Sequence, residues 1–309
     1  MLIDRREFVR SSVALVGLSA IGGCRHFASE KPLLTVGALA DTHIRDADGL
    51  AMFECTLRHF KANGVDVVVH AGDITNDGLR SQLSEVAKRW FSVFPADEAT
   101  PVEFFAVYGN RDFKLSSITD PEERIRNSAI SIYTDPYGEW KRLFGHEMSD
   151  VYLRRIGGYC FIGAQYGKEH QLAQFLREHD DLLDSDRPFF YVQHPHPKGT
   201  CFAPLAAADS GASTAVLSGY PNAIAISGHA HQSLQNDLAL WQGSFLSLGP
   251  GAHWAVKKTL GQRERRPAHQ SAILRLYADR LVISRRDCVE DVSLGPDWIV
   301  PLPYKPKVI

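Results

Sequence analysis

The chain has 309 residues, of which 44% are apolar and 23% charged, with a formal net charge of −2. This near-neutral charge does not support broad electrostatic binding of nucleic acid, so no nucleic-acid partner is expected. The ordinary apolar fraction fits a soluble globular protein, and residues 31–309 are enough for one large domain with a hydrophobic core.

The first thirty residues have the pattern of an export signal. Arg5 and Arg6 form a twin-arginine pair, and residues 13–23 are an apolar stretch of signal-peptide length. The stretch ends Ile-Gly-Gly-Cys24, which resembles a lipobox, so Cys24 would become a lipidated first residue and anchor the protein to the membrane. We therefore predict export, as a periplasmic or membrane-anchored lipoprotein of a bacterium. The alternative is a non-lipidated signal peptide that is cleaved nearby.

The first half of the remaining chain predicts a βαβαβ order. Short runs rich in β-branched and aromatic residues are typical of strands buried on both faces. Gly64 and Pro95 stand where helix ends are expected. The predicted segments are strand 33–39, helix 50–62, strand 65–69, helix 79–94 and strand 102–107.

The second half begins with a segment, 113–145, that has little strand character. It carries Tyr133, Tyr137 and Trp140, and it is either an insertion over a functional site or packed helix. A hairpin turned by two glycines and an amphipathic helix that contains Leu172 and Leu176 follow. The later strand segments are 189–192 and 223–226, and the runs 244–248, 272–277 and 281–284 predict an antiparallel end to a second sheet.

A polar block directly follows each of five apolar runs. Ligands collect at the carboxyl ends of strands in buried sheets, so one site is predicted. Seven oxygen and nitrogen donors suit two divalent first-row metals, and the lack of a thiolate argues against a zinc-finger-type site. The alternative is a set of turn residues and surface histidines. The blocks are Asp41-Thr42-His43, Gly72-Asp73, Gly109-Asn110, His194-Pro195-His196 and Gly228-His229-Ala230-His231.

The order of these blocks resembles the calcineurin-like metallophosphoesterase superfamily, whose pattern runs D-x-H, G-D, G-N-H-[DE], H and G-H-x-H. The resemblance covers roughly residues 33–255. It implies a four-layer αββα sandwich with two mixed β-sheets, whereas periodicity alone predicts only an α/β protein with a mixed sheet. It also implies a bridging Asp73, a first metal on Asp41, His43 and His231, and a second metal on Asn110, His194 and His229.

The activity that this resemblance implies is hydrolysis of phosphomonoesters or phosphodiesters by a metal-bound hydroxide. The cofactors would be two divalent ions from among Mn, Fe, Zn and Co. The aromatic residues of segment 113–145 would favour a small organic phosphate as the substrate. The alternative is a non-catalytic lipoprotein that binds metal or phosphate, against which the seven intact ligands argue.

Two positions depart from the family pattern and concern catalysis. Arg111 stands where the family has a histidine that contacts phosphate and helps to protonate the leaving group. Arginine can hold a phosphate oxygen but cannot donate a proton. Alternatively, Arg111 faces solvent and pairs with a carboxylate. His196 could supply the missing proton or could be a supporting residue, and the sequence favours neither.

Two further histidines receive weaker predictions. His70 lies on a predicted buried strand and is expected to be a core or supporting group. His253 stands beside Trp254 and could line a substrate pocket.

Overall fold

The computed structural model of the protein describes residues 30–183, 187–204, 208–258 and 265–305. The chain divides into residues 1–31 and residues 32–309, and the fold below is that of the second unit. The twin-arginine pair, the apolar stretch and Cys24 lie outside the described residues, so export and lipidation stay predictions. Within the described residues, no helix has the length and apolar character needed to cross a membrane.

Strands and helices alternate through most of the chain, and strands dominate its last third. The strands are β1 (Leu34–Leu39), β2 (Val67–Ala71), β3 (Glu103–Val107), β4 (Val151–Ile156), β5 (Tyr159–Ala164), β6 (Phe189–Val192), β7 (Ala223–Ile226), β8 (Leu240–Gln242), β9 (Leu246–Leu248), β10 (Ala255–Lys257), β11 (Arg265–Pro267), β12 (Gln270–Leu276), β13 (Arg280–Asp287), β14 (Val292–Ser293) and β15 (Trp298–Pro301). The α-helices are α1 (Ala47–Ala62), α2 (Arg80–Val93), α3 (Pro121–Ser128), α4 (Pro136–Phe144), α5 (Leu172–Glu178) and α6 (Ala212–Leu217).

The first sheet has the order β14-β13-β12-β1-β2-β3, with β15 on β13. Strands β1, β2 and β3 are parallel, and β12 joins β1 in antiparallel register. Both β1 and β2 are buried along their whole length, as their apolar, β-branched composition predicts. Helix α1 covers one face so closely that a Cβ at Gly37 would lie 2.8 Å from the ring of Phe60.

The second sheet has the order β4-β5-β6-β7-β9-β8, with a parallel centre from β5 to β9. It packs on the first sheet through aromatic rings, since Phe105 of β3 stacks on Tyr152 of β4 with centroids 4.9 Å apart. On its other face, Leu172 and Leu176 of α5 and Leu217 of α6 complete a second apolar cluster. The predicted four-layer sandwich with two mixed sheets is therefore confirmed.

One prediction about the sheets was wrong. The runs 272–277 and 281–284 form the hairpin of β12 and β13, which joins the first sheet beside β1 instead of ending the second. Within residues 113–145, helix α4 is packed helix, because Trp140 is fully buried and stacks on Phe144, whereas α3 has no buried side chain. The aromatic residue Trp140 therefore belongs to the core and does not support a covered substrate pocket.

Candidate metal centre

The seven predicted ligands lie on loops that follow the carboxyl ends of parallel strands in the two sheets. Five of them adopt a left-handed backbone, with φ between 45° and 68°. Such angles are uncommon for residues other than glycine and persist only where the surrounding structure imposes them. Among the described residues, seven non-glycine positions have positive φ, and five of these are predicted ligands: Asp41, His43, Asp73, His229 and His231.

The first half of the centre brings together Asp41, His43 and His231. The Nε2 atoms of the two imidazoles are 3.1 Å apart, and Nε2 of His231 is 3.3 Å from Oδ1 of Asp41. Nδ1 of His231 donates to the carbonyl oxygen of Ala255 at 2.8 Å, so its Nε2 lone pair faces the centre when the ring is neutral. All three side chains are buried, and their ligand atoms can reach a common ion.

The second half brings His194 beside both His229 and the carboxylate of Asp73. Nε2 of His194 is 3.2 Å from Nδ1 of His229 and 3.3 Å from Oδ2 of Asp73. Nδ1 of His194 donates to the carbonyl oxygen of Ala71 at 2.8 Å, which again turns Nε2 toward the centre. The approach is close, because a Cβ at Gly72 would lie 2.6 Å from the His194 ring.

Asp73 lies between the two halves. Its Oδ2 atom is 3.5 Å from Nε2 of His43 and 3.3 Å from Nε2 of His194. Its Oδ1 atom instead accepts the backbone N–H of Arg111 at 2.7 Å. The geometry thus presents one carboxylate oxygen of Asp73 to both histidine groups.

The electrostatics of the cluster favour bound cations. Burial opposes ionisation of Asp41, but His231 and the other imidazoles outweigh it and hold the pKa of Asp41 well below its usual value. Burial also lowers the pKa of His194, yet the Asp73 carboxylate beside it raises that pKa to about 9. The field that favours a proton on His194 would equally favour a metal cation.

An unsatisfied polar atom completes the donor set. Oδ1 of Asn110 is buried and has no hydrogen-bond partner among the described residues. Leaving such an atom unpaired costs about 1–3 kcal/mol, so native structures usually supply a partner. Carboxylate and amide oxygens together with imidazole nitrogens are suitable ligands for divalent first-row metals. The donor set therefore fits two such ions.

Asp112 supports the centre, although the sequence analysis gave it no role. Its buried carboxylate accepts N–H groups of Ile74, Thr75 and Gly109 at 2.7–3.1 Å, as well as the hydroxyl of Thr75. Burial, together with the nearby Asp73, raises the pKa of Asp112 to about 6. These bonds join the loop that carries Asp73 to the loop that carries Asn110. Asp112 could have been identified from the sequence, because it stands at the acidic position that ends the family pattern G-N-H-[DE].

The two predicted catalytic residues lie in different surroundings. Arg111 is exposed, as its alternative interpretation expects, but its guanidinium forms no ion pair with a carboxylate of the described residues. His196 is buried, and its Nδ1 lies 2.7 Å from the hydroxyl oxygen of Ser227. Burial lowers the pKa of His196 to about 3.

The other two histidines are also buried. Nε2 of His70 lies 3.0 Å from the hydroxyl oxygen of Thr42, which supports the expected supporting role. Nε2 of His253 lies 2.8 Å from the hydroxyl oxygen of Thr56. Burial lowers the pKa of each imidazole to about 3, so both are uncharged at neutral pH.

Two partly exposed aromatic side chains flank the centre. The Tyr166 ring lies 6.2 Å from that of His194 and is 38% exposed, while the Trp254 ring lies 5.2 Å from that of His43 and is 47% exposed. Tyr166 was missed by the sequence analysis. Its position two residues beyond β5 could have identified it, because β5 also ends at this edge.

Comparisons with known proteins agree with this architecture. Residues 34–233 match the sequence pattern of the calcineurin-like phosphoesterase family. No curated protein matches the chain. A dimetal phosphatase from Danio rerio is 15% identical with a TM-score of 0.50, and the alignment covers 89% of this chain and 100% of that one.

Two other solved structures have the same fold. A purple acid phosphatase from yellow lupin (Lupinus luteus) seeds is 11% identical with a TM-score of 0.54, over 87% of this chain and 53% of that one. GAP50, the anchor in the inner membrane complex of Plasmodium, is 13% identical with a TM-score of 0.52, over 89% and 90% of the two chains. At these identities the likeness concerns the fold alone.

Proposed function

The chain belongs to the calcineurin-like phosphoesterase family, and from that membership we propose that it hydrolyses phosphomonoesters or phosphodiesters with two divalent metal ions. The observation that carries the proposal is the position of Asp73, whose Oδ2 atom lies within 3.5 Å of imidazole nitrogens from both halves of the centre. Bound divalent ions supply Lewis-acid stabilisation of phosphoryl oxygens and lower the pKa of water.

The ligands proposed for the ions follow the two halves of the centre. Asp41, His43 and His231 would hold the first ion, Asn110, His194 and His229 the second, and Asp73 both. The protein's own contribution is to fix these atoms, through the bonds from His194 and His231 to backbone carbonyls and through the carboxylate of Asp112. Loss of such supporting bonds typically lowers metal affinity or activity 10–100-fold.

Arg111 is proposed to bind the phosphate. Its backbone N–H is bonded to Asp73, and its exposed guanidinium is not engaged by any carboxylate of the described residues. A guanidinium can hold two phosphate oxygens by charge-assisted hydrogen bonds. It stays protonated, so it stabilises negative charge without acting as an acid.

The surroundings of His196 favour a positioning role over proton donation. Its imidazole is buried, packs against Phe202 and engages Ser227 behind the His194 loop. A general acid must reach the leaving oxygen directly or through one water. We therefore propose that His196 orients the His194 loop. The leaving group then departs without receiving a proton from His196.

The experiment that tests the activity is a panel of phosphomonoesters and phosphodiesters, assayed with metal-free protein and with protein loaded with Mn, Fe, Zn or Co. We expect metal-dependent turnover of at least one ester class, and its loss in Asp73→Asn. Metal binding without turnover of any ester would instead identify a non-catalytic metal- or phosphate-binding protein.

Export and lipidation are a separate proposal, which rests on the sequence of residues 1–30 alone. Mass spectrometry of the membrane fraction should find a diacylglyceryl or triacylglyceryl group on an amino-terminal Cys24. An unmodified amino terminus at another residue would exclude lipidation while leaving export possible.

A further inference from the structure

A cavity of about 640 Å³ opens beside the metal centre on the side of His43. It lies between the start of α1 and the hairpin of β10 and β11, and its wall includes Met52, His253, Trp254 and Pro267. The volume is in the range of sites that bind small organic molecules. Since His43 belongs both to the metal centre and to this wall, a group attached to a phosphate at the metals can reach the cavity.

Trp254 offers this cavity a rigid aromatic face. Its ring lies 5.2 Å from that of His43 and 6.1 Å from that of His231, and it is 47% exposed. The backbone N–H of Trp254 donates to the carbonyl oxygen of Asp41 at 3.0 Å, and that of His253 donates to Ala40 at 3.0 Å. The segment bearing the indole is thus bonded to the same loop that carries the metal ligands.

The positive and negative side chains that line the cavity are equal in number. Arg45 and Arg266 contribute positive charge, whereas Asp46 and Asp48 contribute negative charge. This arrangement supplies no net attraction for a second phosphate group. An uncharged organic group therefore suits the cavity better than a second phosphoryl group, and the indole face suits a planar one.

We propose that this cavity is the subsite for the organic group of the substrate, and that stacking on Trp254 selects a planar aromatic group, as in aryl-bearing or nucleoside phosphoesters. The inference rests on the proposed function, because it requires the phosphate to lie at the metal centre. It adds to that function a substrate class and the residue that determines it.

The test compares phosphomonoesters whose leaving groups are all primary alkoxides: 2-naphthylethyl phosphate, cyclohexylethyl phosphate and a nucleoside 5′-monophosphate. Leaving-group differences are thereby minimised, and the nucleoside distinguishes a general aromatic subsite from a nucleoside subsite. We expect Mn-loaded protein to prefer the naphthyl ester over the cyclohexyl ester about tenfold in kcat/KM. Trp254→Ala should remove most of this preference through KM, and Trp254→Phe should keep most of it.

The matched control is Tyr166→Ala, which removes the aromatic ring on the other side of the centre. It should leave the naphthyl-to-cyclohexyl preference within about twofold of the original value. Metal content is measured in each variant, because the indole contacts two proposed ligands. No preference in the original protein, or a preference lost in Tyr166→Ala and kept in Trp254→Ala, would overturn the assignment.

A binding measurement separates this inference from the proposed function. Calorimetry of Mn-loaded protein with 2-naphthylmethylphosphonate and with ethylphosphonate requires no turnover. Tighter binding of the naphthyl compound that is lost in Trp254→Ala supports the subsite even if no ester is hydrolysed, in which case only the proposed activity is wrong. Equal or undetectable binding of both phosphonates overturns the subsite.

Discussion

The two ends of the parallel strands differ in what their side chains leave unsatisfied. At the amino ends, a cavity of about 740 Å³ is lined by residues that include Leu33, Ile224 and Leu246. None of the described side chains that line it has a buried polar atom without a hydrogen-bond partner, and Tyr304, for example, donates to the carbonyl oxygen of Gly243 at 2.7 Å. At the carboxyl ends, five predicted ligands have left-handed backbones, and the buried Oδ1 atom of Asn110 has no hydrogen-bond partner among the described residues. Backbone strain and an unsatisfied buried atom therefore distinguish the candidate metal centre, whereas cavity volume does not.

The largest effect should follow from changing the carboxylate between the two halves of the centre. Asp73→Asn removes the negative charge that both histidine groups face, so we expect a loss of more than about 10²-fold in kcat/KM, together with loss of bound metal. Arg111→His should cost much less and should keep the metal, because the Arg111 side chain is proposed to bind the phosphate and not the ions, and the backbone bond from residue 111 to Asp73 is kept. Similar losses in the two variants with full metal content would show that Asp73 does not hold the ions.

The next effect concerns the residue that joins the two ligand loops. In Asp112→Asn, an amide NH₂ faces the backbone N–H donors that the carboxylate now accepts. We expect metal affinity to fall about 10–100-fold, as measured by titration of metal-free protein. Asp120→Asn is the control, because that exposed carboxylate caps α3 away from the centre. An unchanged metal affinity in Asp112→Asn would mean that the loops hold their positions without this bond.

A smaller effect is expected for His196. The variant His196→Ala leaves the Ser227 hydroxyl without its partner, which should destabilise the fold by about 1–3 kcal/mol. Activity should fall by less than about tenfold and by the same factor on alkyl and aryl esters, with an unchanged pH profile. A selective loss on alkyl esters, together with loss of the alkaline fall in kcat, would instead identify His196 as the general acid.

The smallest effect on activity is expected for a substitution in the cavity at the amino ends of the parallel strands. The guanidinium of Arg187 lies 4.5 Å from the centre of the Tyr159 ring, an arrangement worth about 0.5–1 kcal/mol at an exposed site. Arg187→Ala should lower the free energy of unfolding by about that amount and should leave kcat/KM within about twofold. A large loss of activity at unchanged metal content would show that this end also contributes to function, and the contrast between the two ends would fail.

The sequence could predict the parts of the site that follow from local order. Asp41 and Asp73 follow closely on apolar, β-branched runs that are typical of buried strands, and the sheet brings such strand ends together. The partner of β12 could not be predicted, because alternation in the run that contains Ala272 indicates a strand without indicating its neighbour. Both Trp140 and Trp254 are single tryptophans in segments without a clear sequence pattern. Trp140 lies in the core and Trp254 flanks the metal centre, and this difference depends on tertiary packing that the sequence does not reveal.

The most direct test of the binuclear centre is the number of ions that the protein binds. Metal-free protein titrated with Mn²⁺ in a calorimeter, with elemental analysis of the product, should bind two ions per chain. His43→Ala and His194→Ala, which alter different halves of the centre, should each retain one ion, whereas Arg187→Ala should retain both. One ion or none in the unaltered protein, or two ions in both histidine variants, would contradict the account.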